Sequence, residues 1–138
     1  MCPCVRVCVS VCYCVRCQCT YANGDVYSGD WEFDNRHGEG TLDVAPDPDF
    51  PHGEAQYQGP FVLDRRSGTG VCTYVDGGRY DGTWKNDLRH GTGVMTYGDG
   101  TQYSGDWELN MRHGQGSCKF GNGDEYKVGC GSGGCGVM

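Results

Sequence analysis

Aromatic residues and glycines alternate along the middle of the chain, and the alternation returns at a fixed interval. Tyr57, Tyr80, Tyr103 and Tyr126 stand 23 residues apart. In Tyr80-Asp81-Gly82-Thr83-Trp84, the period of an extended strand puts Tyr80, Gly82 and Trp84 on one face, and Asp81, Thr83 and Lys85 on the other. A polar run from Asn86 to Arg89 predicts a turn, after which Gly91, Gly93, Met95 and Tyr97 share one face of a return strand. The same order recurs as Tyr27, Gly29, Trp31, Arg36, His37, Gly38 and Gly40, and as Tyr103, Gly105, Trp107, Arg112, His113, Gly114 and Gly116. In the unit of Tyr80 the matching residues are Arg89 and His90; a degenerate copy reads Tyr57, Gly59, Phe61, Arg66, Ser67, Gly68 and Gly70. Each copy predicts a two-stranded hairpin. Asn23-Gly24, Asp76-Gly77, Asp99-Gly100 and Asn122-Gly123 predict two-residue type I′ turns between copies. The fold class expected is all-β: an elongated single-layer antiparallel meander of β-hairpin repeats.

A large ring lying over a neighbouring strand needs bare backbone beneath it, and Gly supplies that. The Tyr and Trp rings are therefore expected to cover glycines of adjacent strands and form a thin aromatic core. One hairpin alone is marginal, so hairpins must dock side by side. At about 4.8 Å per strand, four units with partial ends give a twisted sheet roughly 40–50 Å long.

The interval from Tyr27 to Tyr57 is 30 residues, seven more than the period, and three prolines follow Val44. Proline cannot donate to a ladder, so residues 44–53 are expected to form an insertion loop. The repeat array spans residues 19–126, with units starting near 27, 57, 80 and 103. Residues 1–18 are a low-complexity Cys/Val segment, expected to be unstructured or artefactual. Residues 4–15 alternate Cys and Val, which is how a TG dinucleotide repeat translates. Residues 127–138 are expected to be a Gly-rich tail, a truncated fifth unit in which Val128 stands where Gly belongs.

These units, Tyr-x-Gly-x-Trp followed by a turn and His-Gly-x-Gly, resemble the MORN (membrane occupation and recognition nexus) repeat family over roughly residues 19–126. The second unit departs from the pattern, with Phe61 for Trp and Ser67 for His. The resemblance implies an extended single-layer meander. Family members include junctional membrane proteins, radial spoke heads of cilia, plant phosphoinositide kinases and a SET-domain methyltransferase. In the enzymes the repeats are accessory to chemistry carried elsewhere.

Charge narrows the function classes. All 18 acidic residues fall between Asp25 and Glu125, and residues 21–126 carry 18 acids against 8 Lys or Arg, a net −10. Phosphate backbones and anionic lipids attract clustered cations, of which there are none here. Nucleic acid is not an expected partner, and weak or no membrane lipid binding is expected. No apolar run reaches the roughly 18 residues of a transmembrane helix.

Candidate chemistry is sparse. Seven of the 11 cysteines lie in the first 19 residues, including Cys14-x-x-Cys17, but without the spaced knuckle pairs of a zinc site. No metal or cofactor is expected. Cys72 and Cys118 share the slot of Leu42 and Met95, pointing with the aromatic face as small hydrophobes. His37, His90 and His113 recur once per unit, whereas a catalytic His would appear once beside a nucleophile or carboxylate. No catalytic residue is expected. The pairs Arg36-His37, Arg89-His90 and Arg112-His113 would make one positive edge on an acidic sheet, able to contact a carboxylate or phosphate. The aromatic set Tyr27, Trp31, Tyr57, Phe61, Tyr80, Trp84, Tyr103 and Trp107 would pack the core, and a single layer would leave one face of it open to a partner helix or peptide. The reading is a non-catalytic cytoplasmic scaffold for protein partners, with self-association through open sheet edges. The family resemblance adds two alternatives: a peripheral membrane or phosphoinositide module, and an accessory fragment of a lipid kinase or SET-domain enzyme. It also implies a cytoskeletal, ciliary or membrane-peripheral setting.

Overall fold

The computed structural model describes residues 13–131 and 134–137. Every regular element among them is a strand. In chain order these are β1 (Tyr13–Thr20), β2 (Val26–Glu32), β3 (Asn35–Asp43), β4 (Glu54–Val62), β5 (Arg65–Arg66), β6 (Gly68–Tyr74), β7 (Arg79–Lys85), β8 (Leu88–Thr96), β9 (Gln102–Glu108), β10 (Met111–Lys119), β11 (Glu125–Gly131) and β12 (Gly134–Val137). They follow one another across a single antiparallel sheet in chain order, with the short β5 paired to the end of β4. The expected loop over 44–53 separates β3 from β4. It is tied down where the Ala45 N–H donates to Asp25 Oδ1 at 2.8 Å and the Val75 N–H to the Gly53 carbonyl at 3.0 Å.

Both ends depart from the sequence expectation. Residues 13–18, expected to be unstructured, lie in β1, which pairs with β2 from Tyr13↔Glu32 to Thr20↔Val26. The expectation for residues 1–12 falls outside the described residues. Nor do residues 127–131 and 134–137 form a tail, because β11 pairs with β10 and β12 pairs with β11. In β11 low complexity hid a period-two pattern, whereas over residues 13–18 Val15 is 75% exposed and the pairing shifts between Cys14 and Cys17. Cys19 in β1 is buried, and so are Val128 and Cys130 in β11. Small apolar residues on alternate positions suffice to extend a ladder over a bare strand edge.

The turns also differ. Positive φ at two successive positions occurs inside each unit, at Phe33-Asp34, Leu63-Asp64, Asn86-Asp87 and Leu109-Asn110. These are the type I′ turns. At the Asn-Gly and Asp-Gly pairs only the glycine is left-handed, as in Gly77 with φ +85°. There the Gly77 N–H donates to the Tyr74 carbonyl at 3.0 Å, the Tyr74 N–H donates to the Gly78 carbonyl at 2.9 Å, and Asp76 Oδ1 accepts the Gly78 N–H at 2.9 Å. This is a three-residue loop closed by a left-handed glycine. The side-chain cap on the residue after Gly distinguishes the two turn kinds.

Leu63 holds φ +46° with 61% of its surface exposed. A branched side chain in the left-handed region costs about 1–2 kcal/mol, and Asn tolerates it better. Leu63→Asn is expected to stabilise the chain by about 1 kcal/mol, seen as a higher urea midpoint at unchanged slope. A lowered midpoint would show that the Leu63 side chain contributes packing that its exposure hides.

The core is one layer of rings. Tyr27, Tyr57, Tyr80, Tyr103, Phe61, Trp84 and Trp107 are buried, and Trp31 is half-buried. Consecutive rings meet edge to face, with centroids 5.1 Å apart from Tyr27 to Trp31 and to Phe61, and 5.3 Å apart from Tyr57 to Trp84, Tyr80 to Trp107 and Tyr103 to Trp107. The expected seating over glycine holds: a Cβ on Gly40, Gly70, Gly93 or Gly116 would fall within the ring of Tyr27, Tyr57, Tyr80 or Tyr103 respectively. Each tyrosine hydroxyl donates to the carbonyl three residues on, at Asp30, Pro60, Thr83 and Asp106, over 3.0–3.1 Å. The Trp84 and Trp107 indole N–H groups donate to the Gly70 and Gly93 carbonyls at 3.2 and 3.3 Å. Every polar atom the rings carry into the core is thereby paired.

Candidate functional site

One arginine per unit lies on this aromatic layer. The guanidinium of Arg36 is 5.0 Å from the Phe61 ring centroid, that of Arg66 is 4.4 Å from Trp84, that of Arg89 is 4.6 Å from Trp107, and that of Arg112 is 5.2 Å from Tyr103. These are cation–π distances. Three of the arginines also hold the turn of the next hairpin. Arg66 donates from its backbone N–H and Nε to Asp87 Oδ1 at 2.8 and 3.2 Å, and from Nη2 to the Asp87 carbonyl at 3.2 Å. Arg36 binds Asp64 in the same way, with Nε to Oδ1 at 3.2 Å. Arg89 repeats the geometry on Asn110, with Nε to Oδ1 at 3.3 Å and Nη2 to the carbonyl at 2.9 Å. A planar fork with a fixed spacing of donors suits this two-point grip. Arg66 has one further bond, from Nη1 to Glu54 Oε2 at 2.8 Å.

The histidines sit at a bulge. In the unit of Tyr103, His113 pairs with Asp106 and Gly116 with Gly105, so β10 carries two extra residues there. Gly114 turns left-handed at φ +56°, and Asp106 Oδ2 accepts the freed Gln115 N–H at 3.0 Å. In the unit of Tyr80, Thr83 Oγ1 accepts the Thr92 N–H at 3.0 Å and donates to the His90 carbonyl. His37 Nε2 lies 3.1 Å from Glu32 and His113 Nδ1 lies 3.3 Å from Glu108; Lys85 occupies the matching position in the unit of His90.

Two expectations for the site are corrected. The aromatic ladder does not keep a face open: Tyr27, Tyr57, Tyr80 and Tyr103 are fully buried, and Trp84 and Trp107 are 4% exposed. Backbone closes one side of the rings, while arginines and neighbouring rings close the other. Nor do Arg36-His37, Arg89-His90 and Arg112-His113 form a positive edge. Their arginines lie flat on the core, and His37 and His113 face carboxylates.

What the structure brings together instead is an open groove of about 950 Å³, lined by Arg89, Met95, Tyr97, Trp107, Met111 and Arg112, with Tyr74 and His52 also on its wall. Leu109 and Met111 at its rim are 59% and 66% exposed. Tyr74 and Tyr97 are half-buried against the core; the sequence places Tyr97 on one face of the return strand with Met95, but neither tyrosine is among the candidate site residues. Their signal was available, since each precedes an Asp-Gly turn at the same distance, as Phe120 precedes Asn122-Gly123.

Cys72 is buried as expected, and burial pushes its thiol up to about 12. Thiol reagents attack the thiolate, so Cys72 is expected to stay unmodified by iodoacetamide at pH 8 in the native chain and to react once unfolded, as read by peptide mass mapping. Rapid native labelling would contradict the packing. Cys17 and Cys130 are disulfide-bonded. Among the described residues no group of three or more His, Cys, Asp or Glu is placed to hold a metal ion. The expectation for Cys14-x-x-Cys17 rests on a Cys14 side chain outside the described residues.

Comparison with known protein families agrees with this geometry. The family model described as MORN repeat matches residues 27–43, 57–79, 80–102 and 103–125, more than half of the chain. Each matched segment starts on the tyrosine that seats over a glycine. No curated protein matches the chain in sequence.

Proposed function

Since the chain belongs to the MORN repeat family, we propose that it works as a non-catalytic scaffold that holds a protein partner in the groove beside Trp107. The observation that carries this reading is the groove itself, about 950 Å³ and rimmed by exposed Leu109 and Met111. Exposed apolar side chains beside a concave, partly polar surface mark interaction sites on soluble proteins. The histidines and arginines recur unit by unit with bonds inside the sheet, which supports a structural rather than a catalytic use. A net −10 over residues 21–126 supports a protein partner over nucleic acid or an anionic bilayer.

The test must spare the core. Trp84 and Trp107 are buried, so their removal would unfold the sheet whatever the groove does. Met111→Glu alters the rim alone. Partners recovered by proximity labelling with the wild-type chain are expected to be lost with Met111→Glu, while the circular dichroism spectrum and Tm stay unchanged. Equal recovery from both chains would remove the groove from consideration. Sedimentation with phosphatidylserine vesicles that weakens with salt would favour a membrane surface instead.

A further inference from the structure

Arg66 and Arg89 are built alike except at one contact. Both guanidiniums stack on a tryptophan, and both use Nε and Nη2 to hold the next hairpin turn. Arg66 is fully neutralised, by Asp87 at 3.2 Å and Glu54 at 2.8 Å. Arg36 has the Asp64 carboxylate at 3.2 Å. Arg89 instead grips Asn110, an uncharged side chain, and among the described residues no carboxylate lies within ion-pair distance of it. The reason is visible in the repeat. Glu54 lies three residues before Tyr57, where the unit of Tyr80 has Gly77 and so offers no side chain. Arg89 therefore brings a positive charge without a carboxylate partner to a groove wall that also carries Arg112, and whose two carboxylates, Asp76 and Glu108, lie against His52 and His113 rather than against Arg89.

We propose that the groove takes an acidic peptide segment of a partner protein, whose Asp or Glu carboxylate binds Arg89 Nη1 in the position that Glu54 takes on Arg66. The inference rests on the scaffold reading above and names the chemistry of its partner. Arg66 with Glu54 is an internal template for the contact, showing that an arginine stacked on this layer donates to a carboxylate at 2.8 Å without releasing its turn. Exposed Leu109 and Met111 beside Arg89 suit an apolar side chain next to the acid. A polyanionic surface is disfavoured because the surrounding sheet would repel it, whereas one carboxylate with apolar neighbours answers one charge.

The probe is a phage-displayed library of random peptides selected on the immobilised full-length chain. Recovered sequences are expected to carry Asp or Glu beside Leu, Met or Phe. The strongest one, synthesised with a fluorophore and followed by anisotropy, should bind about tenfold more weakly when its acid is changed to the amide. Arg89→Gln should weaken it by a similar factor. Asn110→Asp should do so too, by giving Arg89 the internal carboxylate that Arg66 already has. Because Asp64 and Asp87 occupy that turn position in other units, Asn110→Asp keeps the fold even if Arg89→Gln does not. If both act through one contact, Asn110→Asp should add little in the Arg89→Gln background. Peptide binding that Met111→Glu abolishes but Arg89→Gln and Asn110→Asp leave unchanged would overturn the inference and leave the groove reading standing. Selected peptides indifferent to Met111→Glu as well would overturn both. Sedimentation with phosphatidylserine vesicles that disappears with Arg89→Gln would assign the anion to lipid and overturn the peptide.

Discussion

Between pH 10 and 12 the sheet is expected to unfold in one cooperative step, with tyrosinate absorbance rising as the strand signal in circular dichroism falls. Tyr27, Tyr57, Tyr80 and Tyr103 are closed to solvent. Burial raises each phenol above its ordinary value of 10.0, Tyr80 to about 12 and Tyr27 and Tyr57 further still. The folded state thus holds the neutral form, while unfolded phenols begin to ionise near pH 10. The stability these groups contribute is complete below that pH and is lost as pH rises toward the folded values. One unit above the unfolded value costs about 1.4 kcal/mol per tyrosine, so Tyr27, Tyr57 and Tyr80 together remove roughly 4 kcal/mol at pH 11, and Tyr103 adds in the same direction. That approaches the entire stability of a small domain, about 5–15 kcal/mol. Cys72, raised to about 12 by the same burial, adds in the same direction. Phenols that ionise gradually while the strand signal persists would show that the ring layer is open to water.

The ring layer itself was legible in the sequence because it rests on two local rules. Strand alternation puts Tyr80, Gly82 and Trp84 on one face, and only glycine permits a ring to lie on the neighbouring strand, as Gly93 does beneath Tyr80. What covers the rings was not legible. An arginine next to a polar turn reads as a solvated charge, and nothing local shows that Arg89 reaches Trp107 and Asn110 in the following unit. That contact depends on how hairpins pair. It closes the face expected to stay open and leaves exposed apolar side chains at the loops and turns instead, at Phe33, Phe50, Leu63, Leu109 and Met111. The turns were misassigned for a similar reason. Asn-Gly serves both two- and three-residue loops, while Leu63 and Leu109 take positive φ because the flanking strands, once paired, require it. At the C-terminal end, low complexity in β11 concealed an alternation too weak to stand alone, yet sufficient beside an existing strand edge.

Gly93→Ala is expected to cost about 3 kcal/mol, the upper end for forcing one methyl group into a packed layer. The new Cβ would fall within the Tyr80 ring, and neither partner can give way. Tyr80 is fixed by its hydroxyl bond to the Thr83 carbonyl at 3.0 Å and by edge-to-face contacts at 5.2 Å with Trp84 and 5.3 Å with Trp107. Residue 93 is fixed by its pairing to Gly82 and Gly105 on its two flanks, and its carbonyl accepts the Trp107 indole N–H at 3.3 Å. A displaced ring therefore disturbs two units at once, and in a linear array a fault in the middle separates the halves. Urea unfolding should show a lower midpoint, with a shallower slope if the halves come apart separately. Tyr80→Leu removes the ring beneath which the methyl must fit, so in that background the added cost of Gly93→Ala should shrink to about 1 kcal/mol or less, a non-additivity expected only of residues in direct contact. Equal costs in both backgrounds would mean that strand backbone, rather than the ring, excludes the side chain at position 93.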